Sequence, residues 1–120
     1  MSVDALENLD VWKRSCRLSV SLYRELRTCR DLGFKDQITR SALSVPSNIA
    51  EGYERDSARE LQRFLRTVKG SCGELRTQLY IGIKTGFVGR EAGLKLAQEA
   101  AEISRMIHGL IRHYDAKLTP

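Results

Sequence analysis

Two histidines, three cysteines and fifteen carboxylates are the groups with which this chain could do covalent or metal chemistry. His108 and His113 are five residues apart, so on a helix they do not stack on one face as an i, i+4 zinc pair would. They read as surface or edge histidines. Cys16, Cys29 and Cys72 form neither a Cys-x-x-Cys pair nor a disulfide framework. All three sit in or beside apolar stripes, which suits small core residues better than nucleophiles. No Walker loop, no Gly-x-Ser-x-Gly elbow and no Glu-x-x-His pair occurs; a di-iron bundle would need the last twice. Glu51 is the carboxylate most constrained by its surroundings, but no histidine or second carboxylate stands at matching spacing. The expectation is a protein that is not an enzyme and carries no metal or cofactor.

Arginine and lysine offer a different chemistry, the binding of anions. The chain has 20 Lys+Arg against 15 Asp+Glu in 120 residues, a formal net charge of +5. Residues 1–60 hold ten cations and ten anions, whereas residues 61–120 hold ten cations and five anions. A pI near 9.4 permits a polyanion partner. Two rows stand out at helical spacing. Lys13, Arg17 and Arg24 align on the first helical stretch. Arg59, Arg63, Arg66 and Lys84 align on the third. Such rows can track phosphates, because each guanidinium makes paired hydrogen bonds to phosphate oxygens. They can equally be solvated faces that keep the protein soluble. Only Tyr80 stands near either row, so stacking on single-stranded bases has little support.

The elements that must carry these rows are helices. The length suits one domain spanning 1–120, and 42% hydrophobic with 29% charged residues is a globular balance. No apolar run approaches a membrane span and no secretory leader is visible, so a cytoplasmic, reducing location is expected. Alternating strand patterns are nearly absent. Apolar residues recur at three- and four-residue steps in four stretches, about 9–30, 35–53, 58–85 and 90–116. In the first, Trp12, Cys16, Ser19, Tyr23 and Leu26 share a face that Leu18, Leu22 and Cys29 widen. Asp10 reads as its N-cap and Gly33 as a stop nearby. Ser57-Ala58-Arg59-Glu60 is a capping box opening the third. Gly86 and Gly89 punctuate the turn before the fourth. Short connections predict an all-α, antiparallel, up-down-up-down four-helix bundle. Its predicted core includes Trp12, Tyr23, Leu61, Phe64, Val68, Leu75, Leu79, Leu96, Ile103, Ile107 and Leu110.

The second stretch is unusual. Ile38, Ala42, Val45, Ile49 and Tyr53 form its stripe, and Pro46 inside it predicts a kink. The opposite face reads Arg40, Ser44, Ser47, Asn48 and Glu51, small residues with isolated charges. Ser41, Asn48 and Gly52 line one shoulder, and Leu43 and Ala50 the other. Either the helix packs tightly on its own neighbours, or a second subunit covers it.

Residues 40–55, RSALSVPSNIAEGYER, resemble the hallmark of the bacterial four-helix-bundle family of 23S rRNA intervening-sequence proteins, often labelled ribosomal-protein-like. Leu9-Asp10-Val11-Trp12 resembles the family's opening Leu-x-Val-Trp. Asp36-Gln37-Ile38-x-Arg40 resembles its entry to the second helix, and Phe64-Leu65 with Gly70-Ser71-x-x-Glu74-Leu75-x-x-Gln78-Leu79 its third. The first loop lacks the family's proline, and Val68 stands where many members carry alanine. The resemblance implies an antiparallel bundle assembling into a five-fold ring, and a family of unknown function. It also extends to the accessory variability protein of diversity-generating retroelements, a basic barrel that associates with reverse transcriptase and nucleic acid.

Together these readings lead to an expected function: an oligomeric scaffold, a homopentamer by resemblance, whose basic surface binds structured RNA or DNA. The alternative is a protein–protein adaptor without a nucleic-acid ligand, a reverse transcriptase being one candidate partner.

Overall fold

The structure, a computed structural model, describes residues 3–118. Among them are five α-helices and no strand: α1 (Val3–Glu7), α2 (Asp10–Glu25), α3 (Leu32–Tyr53), α4 (Ala58–Thr85) and α5 (Arg90–Leu118). No helix among the described residues is long and apolar enough to cross a membrane. The long helices α2 to α5 pack as a closed cycle. Each of α2 and α4 lies mainly on α3 and α5, so α2 is diagonal to α4. The α2/α3 seam therefore lies on the flank opposite the α4/α5 seam. Across α4 and α5 the contacts run in opposite senses along the chain. Lys69 meets His108 and Arg66 meets Asp115 across α4 and α5; Ser41 meets Glu74 across α3 and α4.

The stripes of α3, α4 and α5 fill the core as their spacing demands. Ile38, Ala42, Val45 and Ile49 are fully buried, as are Leu65, Val68, Cys72, Leu75, Leu79, Ile103 and Ile107. Trp12 and Leu110 pack against this core while staying partly exposed; Phe64, expected in the core, is half-buried.

On α2 the structure differs from the expected stripe. Its buried residues are Val11, Ser15, Leu18, Ser19 and Leu22, and Tyr23 is 44% exposed. The helix is turned by about one residue from the Trp12–Cys16–Tyr23 line. The physical reason lies in the serines. Ser15 Oγ donates to the Trp12 carbonyl at 2.8 Å, and Ser19 Oγ to the Ser15 carbonyl at 3.2 Å. Small hydroxyls satisfied on their own helix are buried at little cost. The large, amphipathic Tyr23 is left outside.

Ser19 also resolves the problem set by Pro46. Helix α3 continues through Pro46, which has no N–H to give the carbonyl of Ala42. That carbonyl instead lies 3.1 Å from Ser19 Oγ, whose single proton it shares with the Ser15 carbonyl. The proline's missing bond is replaced by one across the α2/α3 seam.

The helix ends depart from the expected ones in several places. The first long helix stops at Glu25, not near 30, and the next starts at Leu32, not 35. Asp31 caps α3 by accepting from the Phe34 N–H at 2.9 Å, so Gly33 opens α3 instead of ending α2. Leu9 is the N-cap of α2, and Asp10 sits in its first turn, where a carboxylate complements the helix dipole. Ser57 does cap α4, accepting from the Glu60 N–H at 3.1 Å. Gly86 ends α4 at φ 83, a left-handed conformation costly for any side chain. Gly52 serves closeness: a Cβ there would lie 2.8 Å from Phe64 Cβ, so α3 and α4 meet where glycine allows it.

Candidate nucleic-acid interface

The basic row on α4 comes from 3.6-residue periodicity: its stripe faces the core and its arginines face out. Arg59, Arg63, Arg66 and Lys84 are all exposed. Local ties hold two of them. Arg63 pairs with Glu60 at 2.7 Å and lies over the Phe64 ring at 5.6 Å. Arg66 pairs with Asp115 of α5 at 3.2 Å. Lys84 shares the face but stands eighteen residues beyond Arg66, about 27 Å along the axis, so it is not part of one cluster with them.

On α2, Arg17 and Arg24 are exposed and Lys13 is half-buried. Because α2 is diagonal to α4, the two rows are separate surfaces. Arg14 of the same helix is withdrawn from any such role. Its Nε donates to Glu99 Oε2 at 2.9 Å and its Nη2 to the other carboxylate oxygen, tying α2 to α5. The hydrogen bond to Glu99 raises the guanidinium's pKa further.

The structure adds a convergence absent from either row. Lys69 of α4 and His108 of α5 touch, Nζ to Nδ1 at 3.2 Å. With Arg66, Ile111, Arg112 and Asp115 they line a cleft of about 390 Å³ between α4 and α5. Reading each row along one helix misses this. The signal available was the turn at Gly86–Gly89: folding α5 back on α4 about residue 89 places residue 66 opposite 112, and 69 opposite 109.

The candidate oligomer residues sit on the outer side of α3, and four of them are tied to groups close by in the chain. Arg40 pairs with Asp36 at 3.2 Å and Glu51 with Arg55 at 3.8 Å. Ser44 Oγ donates to the Ser41 carbonyl and Asn48 Nδ2 to the Ser44 carbonyl, each at 2.7 Å. Ser47 is exposed. The small-residue shoulder splits: Ser41 and Gly52 are spent on α4, through the Glu74 carboxylate at 3.0 Å and the approach to Phe64. The Leu43 shoulder is open. Leu43 and Pro46 join Cys16, Val20 and Tyr23 of α2 around a largely apolar groove of about 550 Å³, with Arg24 and Arg27 on its rim.

Two of the thiols, Cys16 and Cys72, are poorly placed for chemistry. Burial pushes the Cys72 thiol up to about 11 and raises that of Cys16, so neither is a ready thiolate. Among the described residues no cluster of three or more His, Cys, Asp or Glu could hold a metal ion.

A family model described as 23S rRNA-intervening sequence protein matches residues 7–109. The chain belongs to that family. No curated protein matches it. Among solved structures it is similar to a protein with unknown function from the S23 ribosomal protein family of Bacteroides thetaiotaomicron. The TM-score is 0.79 at 23% identity, covering 84% of this chain and 97% of that one. At that identity the likeness speaks for the fold. The family's span takes in Arg66, Lys69 and His108, while Arg112 and Asp115 lie just beyond it.

Proposed function

We propose that this protein is a non-enzymatic oligomeric scaffold: an up-down-up-down four-helix bundle, bent at Pro46, whose basic surface binds structured RNA or DNA. The observation that carries the reading is the outward display of cations by the half of the chain with ten of them against five anions, Arg63, Arg66 and Lys84 among the exposed ones. The family's description, which ties its members to intervening sequences of 23S rRNA, makes structured RNA the first polyanion to test. A cyclic homo-oligomer, five-fold by resemblance, would repeat a modest patch and turn it into avidity. Its contact face would be the groove between α2 and α3, with Ser47 beside it. A ring closes a heterologous contact that would otherwise grow into a filament.

The test is an anisotropy titration of labelled structured RNA and duplex DNA at several salt concentrations. Wild type should bind with steep salt dependence. Arg59/Arg63/Arg66→Ala should lose affinity and flatten the salt slope by about one unit per cation removed, with its oligomer mass unchanged. If affinity is lost instead in Lys13/Arg17/Arg24→Ala, the function stands and the face is α2. If wild type binds neither polymer at any salt, the second reading takes over. That reading is a protein–protein adaptor, favoured by the same apolar groove, which would then receive a segment of another protein such as a reverse transcriptase.

A further inference from the structure

We propose that the cleft between α4 and α5 is the phosphate-binding centre of this surface, where Lys69, His108 and Arg112 join Arg66 to hold a backbone phosphate of a polynucleotide. The proposal rests on the nucleic-acid reading above and gives it an address. Arg40, Arg63 and Arg105 each face a carboxylate three or four residues away on their own helix, the usual pairing of a solvated helix surface. The cleft is built otherwise. Its basic groups come from two helices and converge: Arg66 and Lys69 from adjacent turns of α4, His108 and Arg112 from adjacent turns of α5. Lysine has no acceptor, so Lys69 Nζ donates and His108 Nδ1 accepts across their 3.2 Å. Two basic groups in contact leave room for a better partner, and an anion between them would accept from Lys69 and, with the ring in its Nδ1–H tautomer, from His108 as well.

Asp115 stands in for that anion. Arg66 Nη2 reaches both of its oxygens, at 3.2 and 3.4 Å. Among the described residues it is the only carboxylate lining the cleft, against Arg66, Lys69 and Arg112, so that lining carries a net positive charge with His108 neutral. Ile111 forms an apolar wall, which weakens solvent screening of whatever charge enters. The volume of about 390 Å³ admits a phosphate with the sugar it joins.

The experiment titrates a short fluorescein-labelled RNA hairpin, over a series of salt concentrations, with wild type, Lys69→Gln/Arg112→Gln and Asp115→Asn, each checked for helicity by circular dichroism. The double variant should bind roughly tenfold more weakly or worse, with a salt slope flatter by about two units. Asp115→Asn frees Arg66 and removes a like charge from the ligand's path, so its affinity should rise severalfold. Wild-type binding with the double variant within twofold of it overturns the cleft and leaves the nucleic-acid reading standing. No wild-type binding overturns both. Should the double variant lose its helicity, Asp115→Asn decides alone: affinity that is unchanged or lower overturns the proposal.

Discussion

Ser19 and Pro46 act as a pair, although they stand on different helices. The proline leaves the Ala42 carbonyl without its helical donor, and the buried Ser19 hydroxyl supplies one. Ser19→Ala should therefore strand a buried acceptor and cost about 1–3 kcal/mol in chemical denaturation. In a Pro46→Ala background the new N–H can serve Ala42, and the same substitution should cost less. A double-mutant cycle reads this directly; purely additive costs would refute the pairing. Cys72 offers a second test at this scale. Its thiol has an ordinary value of 9.0 in the unfolded chain and is pushed up to about 11 by burial in the fold. The raised value favours folding below pH 9, and that contribution is lost as pH rises toward 11. In a Cys16→Ser/Cys29→Ser variant, labelling of Cys72 at pH 8 should be slow and should follow the global unfolding rate. Fast labelling of the folded protein would show that the core opens locally.

At the scale of the element, α4 is the best-specified helix, with a capping serine, a continuous buried stripe and a left-handed glycine at its end. Gly73 interrupts its propensity from the solvent side. A Cβ there would meet nothing within 4 Å, so Gly73→Ala should raise stability by about 0.5–1 kcal/mol in thermal or denaturant unfolding. If stability or assembly falls instead, the open space beside Gly73 is occupied by a partner. Helix α2 is specified less firmly. Two lines of residues one position apart, Trp12–Cys16–Tyr23 and Val11–Leu18–Leu22, both look apolar enough to be buried. Periodicity gives the angular width of such a face more reliably than its centre. The choice between them falls to the neighbours, which accept Ser15 and Ser19 at close range and leave Tyr23 outside.

For the whole molecule, that rotation has a consequence. It leaves Val20 and Tyr23 beside Leu43 and Pro46, an apolar groove on the flank away from the α4/α5 cleft. A protomer joined to its neighbours through this groove keeps the cleft free for an anionic ligand. Light scattering should give a multiple of the 13.6 kDa chain mass, five for a pentamer. Tyr23→Glu places a charge in the groove at an exposed position, so it should lower that mass while helicity persists. A monomeric wild type, or a Tyr23→Glu variant of unchanged mass, would remove the groove from the assembly.

Local rules were enough to read the helical class, the stripes of α3, α4 and α5, the Ser57 cap and the Gly86 stop, because each depends on residues within a turn or two of one another. The motif at residues 40–55 was equally plain, and it led to the family that the match over residues 7–109 shows. The candidate arginines were legible as rows for the same local reason. Tertiary packing decided the rest. It set the rotation of α2, the use of Ser19 to serve the carbonyl that Pro46 leaves without its helical donor, and the meeting of Lys69 with His108. Each of these depends on how two helices are rotated and slid against each other, and that register comes from the fit of whole side-chain surfaces far apart in the chain.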